Sequence, residues 1–286
     1  SSHGFGHAAR QATVLFALHR LKPSWRLVVS SNVSADFLKL VCASVPVEQR
    51  FVGWDVGMIQ EDALGVDQER TLDALRALDT DLPKRLDQEA AWLAVQSTPV
   101  LVVGDIPPAA AVLAERLGAP LVWMGNFGWD DIYEPLGGRF TEYAASARDQ
   151  YRRGELLLRC PFSLAMHWGL DEQQLGLTVS DLREIPPPLH QHLEQIQKPL
   201  VLVGFGGLGI AIAPASFRLW PNHHFLMPAP VAPHLRANFE CEANVTLLPE
   251  SVRPFDFMPF CERHLGKPGY STFCEALSQE LGMHVV

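Results

Sequence analysis

Runs of consecutive apolar residues set the strongest limit on the fold. Pro99-Val100-Leu101-Val102-Val103-Gly104 and Pro120-Leu121-Val122-Trp123-Met124 show no polar alternation, so they suit strands covered on both faces. Between them Pro107-Pro108 opens an Ala-rich helix that ends near Leu117-Gly118, with proline at the start and glycine at the stop. Strand, helix, strand in this order predicts parallel α/β architecture. The pattern restarts at Pro199-Leu200-Val201-Leu202-Val203. A turn, Gly204-Phe205-Gly206-Gly207-Leu208-Gly209, and an apolar helix to about Leu219 follow. Strands are then expected at His224–Met227 and Asn244–Leu248, and a last helix from about Ser271 to Leu281.

The N-terminal part fits the same scheme. Val14, Leu15, Leu18 and Leu21 share one face of a helix over Ala8–Leu21. Arg26–Ser30 and Arg50–Trp54 read as strands. Leucines spaced near 3.6 from Asp67 to Val95, interrupted by Pro83, predict two successive helices. A stretch around 176–198, with Pro186, Pro187 and Pro188 in a row, reads as an interdomain linker. A length of 286 residues accommodates two lobes at roughly 150 residues per domain. The expected division is a first lobe over 1–180, a linker over 181–198 and a second lobe over 199–286. Residue 1 opens directly on a glycine turn and the chain stops at what reads as the start of a strand, Met283–Val286, so truncation at both ends is expected.

A formal net charge of −9 with no Lys/Arg run argues against a nucleic-acid partner, and no 18-residue apolar span suggests a transmembrane segment. Five scattered cysteines without a CxxC pair predict free thiols and a cytoplasmic setting. The histidines show no metal-ligand spacing, so no metal site is expected.

Three positions carry chemistry. Gly204 to Gly209 matches G-x-G-x-x-G, which suits a phosphate near a helix start. The first acid after Gly209 is Glu240, beyond the roughly 20-residue distance at which a nicotinamide site holds its ribose, so a nicotinamide oxidoreductase is disfavoured. A tight turn without a ligand is the other reading. Gly266-Lys267-Pro268-Gly269-Tyr270-Ser271-Thr272 leads into a helix bearing Glu275. Ser271 or Thr272 with Glu275 has capping-box spacing; alternatively the free N–H groups bind a diphosphate while Glu275 accepts from ribose hydroxyls. Gly4 and Gly6 precede His7 at the start of the first helix, where the imidazole can serve as a base, and Asp105 ends a strand at the sheet edge where a ligand crevice forms.

These motifs, together with Gly125-Asn126-Phe127-Gly128-Trp129-Asp130, resemble the nucleotide-sugar glycosyltransferases of the two-lobed GT-B fold. The likeness is greatest to the glycosyltransferase-like N-terminal region of plant L-arabinokinases and related stand-alone bacterial proteins, and more distant to the peptidoglycan transferase MurG. The resemblance implies two Rossmann-like lobes facing a cleft, with the acceptor on the N-terminal side and a nucleoside-diphosphate sugar, usually UDP-linked, on the C-terminal side. It implies no obligatory metal or cofactor. His7 corresponds to the base of the first glycine loop, with Asp105 orienting it. Gly206, Gly207, Lys267, Gly269, Ser271, Thr272 and Glu275 fall on the donor side. Gly4, Gly6, Asn126, Trp129 and Asp130 fall on the acceptor side, with Trp129 equally suited to the core. One departure is Phe257–His264, where Pro259 weakens a strand that the family has before Gly266. The sugar-kinase domain of arabinokinases has no counterpart in this sequence. A noncatalytic sugar-nucleotide-binding module remains the alternative from another class.

Overall fold

The computed structural model describes residues 5–43, 45–59, 65–95, 98–205, 212–228 and 233–286. The chain divides into two compact units, one gathering Arg26–Val33 and Val47–Thr178, the other Gly4–Trp25, Ser34–Pro46 and Val179–Val286. Helices α1 (Phe5–Leu21) and α2 (Ala35–Cys42) therefore group with the C-terminal part of the sequence, which differs from a first lobe over 1–180. Side-chain contacts explain this. Phe5 of α1 packs on Phe37 of α2 with ring centroids 4.2 Å apart, and the Arg183 guanidinium donates to the Leu40 and Val41 carbonyls at 2.6 and 2.7 Å.

In the first unit β1 (Leu27–Ser30) and β2 (Val47–Arg50) pair in parallel. A second parallel sheet runs in chain order through β3 (Val102–Gly104), β4 (Leu121–Gly125), β5 (Leu156–Arg159) and β6 (Asp171–Gln174). Strand β2 ends where Arg50–Trp54 was expected to begin, because its pairing with β1 stops at Arg50. There the Arg50 side chain donates to buried Glu89, which also accepts from Ser30 Oγ at 2.8 Å. Glu89 lies on α3 (Gln68–Ala94), a single helix where Pro83 predicted two. Proline forfeits one backbone donor and strains the preceding turn. Buried Leu75 on one side and Leu86 and Glu89 on the other anchor both halves, so packing overrides the local break. Helices α4 (Ala109–Leu117), α5 (Trp129–Tyr133) and α6 (Phe140–Tyr151) complete the unit. Gly118 takes φ 59° at the C-cap of α4, the left-handed conformation that glycine adopts at least cost. The core centres on Tyr151, stacked on Trp168 at 4.1 Å and edge-on to Trp123 at 5.0 Å, each such pair adding about 1 kcal/mol beyond area burial.

The second unit holds β7 (Leu200–Gly204), β8 (His224–Pro228), β9 (Val245–Leu248), β10 (Arg263–Gly266) and β11 (Gly282–Val285), all parallel in the order β11-β10-β7-β8-β9. The chain moves outward from β7 on one side and then returns to fill the other. Helices α7 (Pro187–Glu194), α8 (Pro233–Glu240) and α9 (Tyr270–Ser278) join the strands, with 3-10 segments at Pro214–Leu219 and Pro254–Phe260. The described part of the helix expected to reach Leu219 is thus a 3-10 segment opened by Pro214. Pro259 lies in the second 3-10 segment, so it does not interrupt β10.

The segment expected as a linker is packed. Pro187 and Pro188 occupy the first positions of α7, where their fixed φ and missing donor cost nothing. Ile185 and Leu193 are buried with Leu200, Leu202 and Phe257. Buried Arg253 donates to Ser180 Oγ, the Asp181 carbonyl and Asp256, and Asp256 accepts from the Arg183 backbone N–H. All five cysteines are free, and no helix among the described residues is long and apolar enough to cross a membrane.

Candidate functional site

Parallel sheets receive ligands beyond the carboxyl ends of their strands, where the strand order reverses. In the second unit that point lies between β7 and β10, and their last residues, Gly204 and Gly266, are register partners. A Cβ on Gly266 would fall 2.1 Å from the Gly204 carbonyl oxygen, so the two backbones approach as only glycine allows. Gly206 and Gly207, the expected diphosphate-facing pair, lie outside the described residues, as does Gly4.

Beyond Gly266, Lys267 accepts the Gly269 N–H through its carbonyl at 2.8 Å, and Gly269 is the N-cap of α9. No side chain caps this helix, so the expected capping box is absent. The Ser271 hydroxyl is engaged elsewhere, donating to the Gly6 carbonyl of α1 at 2.9 Å. A helix start without a side-chain cap offers N–H groups and positive potential to an anion. Glu275 sits one turn further on. Burial pushes its carboxyl up to about 7, with Asp256 adding to the effect and Arg253 opposing it.

The first turn of α1 meets the first turn of α9. Buried Arg10 lies over the Tyr270 ring, 5.1 Å from its centroid, and its Nη2 is 3.2 Å from His7 Nδ1. A guanidinium only donates, so Nδ1 accepts and the ring proton resides on Nε2. Gly6, His7, Ser271 and Tyr270 are thus brought together on two packed helices of one unit. Arg10 was not singled out from the sequence, although its spacing of three from His7 makes them helical neighbours.

The remaining expected residues belong to the first unit. Asp105 is buried directly after β3 and Asn126 is half-buried directly after β4, at one edge of one sheet. Ile106, next to Asp105, has φ 68°, a strained conformation for a β-branched residue. It is held by the Tyr151 hydroxyl, which donates to the Ile106 carbonyl at 2.6 Å and accepts from the Trp129 N–H at 3.0 Å. Tyr151 therefore ties the loops after β3 and β4 together, and no local sequence signal marked it.

Trp129 takes the core place that the sequence equally allowed, and Asp130, expected on the acceptor side, is buried as well. Trp129 is buried, with its Nε1–H on Asp55 at 2.9 Å and its ring stacked on Tyr133. Asp130 is also buried, accepting from Trp168 Nε1 at 3.2 Å and from Arg148 at 3.4 Å. Burial raises its carboxyl above the usual range, with Asp131 adding to this. Both side chains are committed to the core and support the Asn126 loop from beneath. Among the described residues no group of three His, Cys, Asp or Glu side chains is placed to hold a metal ion.

A UDP-glucosyltransferase from Polygonum tinctorium, capable of glucosylating indoxyl, superposes with a TM-score of 0.67 over 99% of this chain and 78% of its own, at 15% identity. UGT2 of Phytolacca americana, solved with UDP-2fluoro-glucose and pterostilbene, gives 0.67 over 100% and 78%, at 14% identity. The fold is that of the GT-B glycosyltransferases. In sequence, this GT-B chain is similar to an L-arabinokinase of Arabidopsis thaliana, 27% identical over 310 aligned positions that include 98% of the chain. The chain spans 27% of that relative's length. No family model matches it.

Proposed function

We propose that this chain transfers a glycosyl group, hexosyl or pentosyl, from a uridine-linked nucleoside-diphosphate sugar to a hydroxyl acceptor. The observation that carries the reading is the switch point of the second unit. There, glycine strand ends, a helix start free of side-chain caps and Glu275 one turn on stand together within a GT-B fold. In this reading the α9 start, the Gly206-Gly207 turn and Lys267 take the diphosphate, and ionised Glu275 accepts from the ribose hydroxyls. The acceptor oxygen bonds to the anomeric carbon, the bond to the diphosphate oxygen breaks, and the acceptor's proton passes to His7. No metal is assigned a role, so activity is expected to survive a chelator.

His7 takes that proton on Nε2 only if Nε2 is first unprotonated. The ring proton must then sit on Nδ1, and the Arg10 hydrogen bond must be released. Asp105 is the second catalytic group of the reading, with Gly4, Gly6 and Asn126 on the acceptor side. A second reading, binding without turnover, draws on the same Arg10–His7 bond, which leaves Nε2 protonated. Incubation with a panel of UDP-sugars and hydroxyl acceptors, with UDP release as readout, decides between them. Release that is lost in His7→Ala supports transfer. Tight UDP binding without release supports the module, and absence of any thermal protection by UDP or UDP-sugars overturns both.

A further inference from the structure

One group at the switch point is unused by the reading above. His264 of β10 is buried, and neither of its ring nitrogens has a hydrogen-bond partner among the described residues. Its register partners on the flanking strands are apolar, Leu202 on β7 and Met283 on β11. The ring leans toward the carboxyl edge of the sheet. A Cβ on Gly266 would lie 2.7 Å from His264 Nε2, and one on Gly204 would lie 3.0 Å from Cε1. The same two glycines that end the switch-point strands thus make room for the imidazole, and Nε2 is the nitrogen turned toward them.

A residue that only fills space needs no nitrogen. Phenylalanine or leucine would occupy an apolar environment without leaving two polar atoms unpaired, and such unpaired groups in a native structure call for a partner. Burial holds the imidazole neutral, with its pKa lowered to about 4. A neutral ring offers one N–H donor and one acceptor. At a glycine-lined strand edge beside an uncapped helix start, the ligand chemistry that matches an N–H donor is a phosphate oxygen.

We propose that His264 Nε2–H donates a hydrogen bond to the diphosphate of the bound nucleoside-diphosphate sugar, entering between the ends of β7 and β10. This rests on the donor site placed above. Contact requires the peptides at Gly204 and Gly266 to yield, which glycine does most readily. His264 is then a donor-reading residue whose hydrogen bond is made only in the complex.

The test is calorimetric titration of UDP into the chain and into two variants, with thermal melts of each. His264→Phe is expected to melt at the same temperature or higher without ligand and to bind UDP at least tenfold more weakly. His264→Gln, which keeps an N–H donor, is expected to bind within about threefold of the parent. Equal UDP affinity in the parent and His264→Phe overturns this proposal and leaves the donor site intact. No UDP binding by the parent overturns the donor site itself, and the His264 contact with it. Should either variant fail to fold, the imidazole 15N resonance of His264 in the parent decides, since a resonance unmoved at UDP saturation contradicts the contact.

Discussion

The two sheet edges that carry the candidate residues differ in how far their polar groups are satisfied. At the first unit's edge, Tyr151 joins the Ile106 carbonyl to the Trp129 N–H, Trp129 donates to Asp55, and Asp130 takes Trp168 and Arg148. At the second unit's edge, α9 starts on a glycine, His264 is buried without a hydrogen-bond partner among the described residues, and burial raises the Glu275 carboxyl. A saturated network holds loops in place, whereas buried groups left unpaired call for a partner such as water, an ion or a ligand. On the reading proposed above, the first edge is a scaffold that presents Asp105 and Asn126, and the second is the receptor for the donor.

Four outcomes separate the two edges, from the largest effect to the smallest. His7→Ala is expected to cut UDP release from a UDP-sugar by about a hundred- to ten-thousandfold while leaving UDP affinity unchanged, as general-base removal does. An equal loss of UDP affinity would show that His7 holds the donor instead. Tyr151→Phe removes one hydroxyl but strands a buried carbonyl and a buried N–H, and is expected to cost about 3 kcal/mol in denaturant unfolding. If that variant is as stable as the parent, the first edge is not the scaffold described. Glu275→Gln is expected to weaken UDP binding about tenfold, the scale of one hydrogen bond to a charged group, with no loss of stability.

The smallest effect is one of pH. The folded pKa of Glu275, about 7, lies above its ordinary 4.5, so its contribution to stability is complete below 4.5 and is lost as pH rises through 7. UDP binding through the carboxylate has the opposite slope and strengthens over the same interval. Melts and titrations between pH 5 and pH 8 check both signs, and Glu275→Gln should flatten each.

Much of the architecture follows from local rules. Pro107-Pro108 and Gly118 bracket α4 as terminal proline and glycine should, and the unbroken apolar runs lie in parallel strands. Where local reading fails, a distant contact has won. Pro83 stays inside α3 because Leu75, Leu86 and Glu89 hold both halves, and Pro187-Pro188 starts a helix because Ile185 and Leu193 enter a core. Ser271 leaves its cap for the Gly6 carbonyl, 265 residues away in the chain, a choice that spacing cannot show. At the proposed site, the glycines that end β7 and β10 and the glycine start of α9 were legible in the sequence. Tyr151 and His264 matter through cross-strand and cross-loop neighbours, which carry no period in the sequence.

Hydrogen exchange with and without saturating UDP tests the division most directly. The expected result is slowed exchange in the backbone N–H groups of residues 266–275 and at the end of β7, with residues 104–130 unchanged. Protection confined to residues 104–130, or none in 266–275 at saturation, would contradict the assignment of the receptor to the second unit.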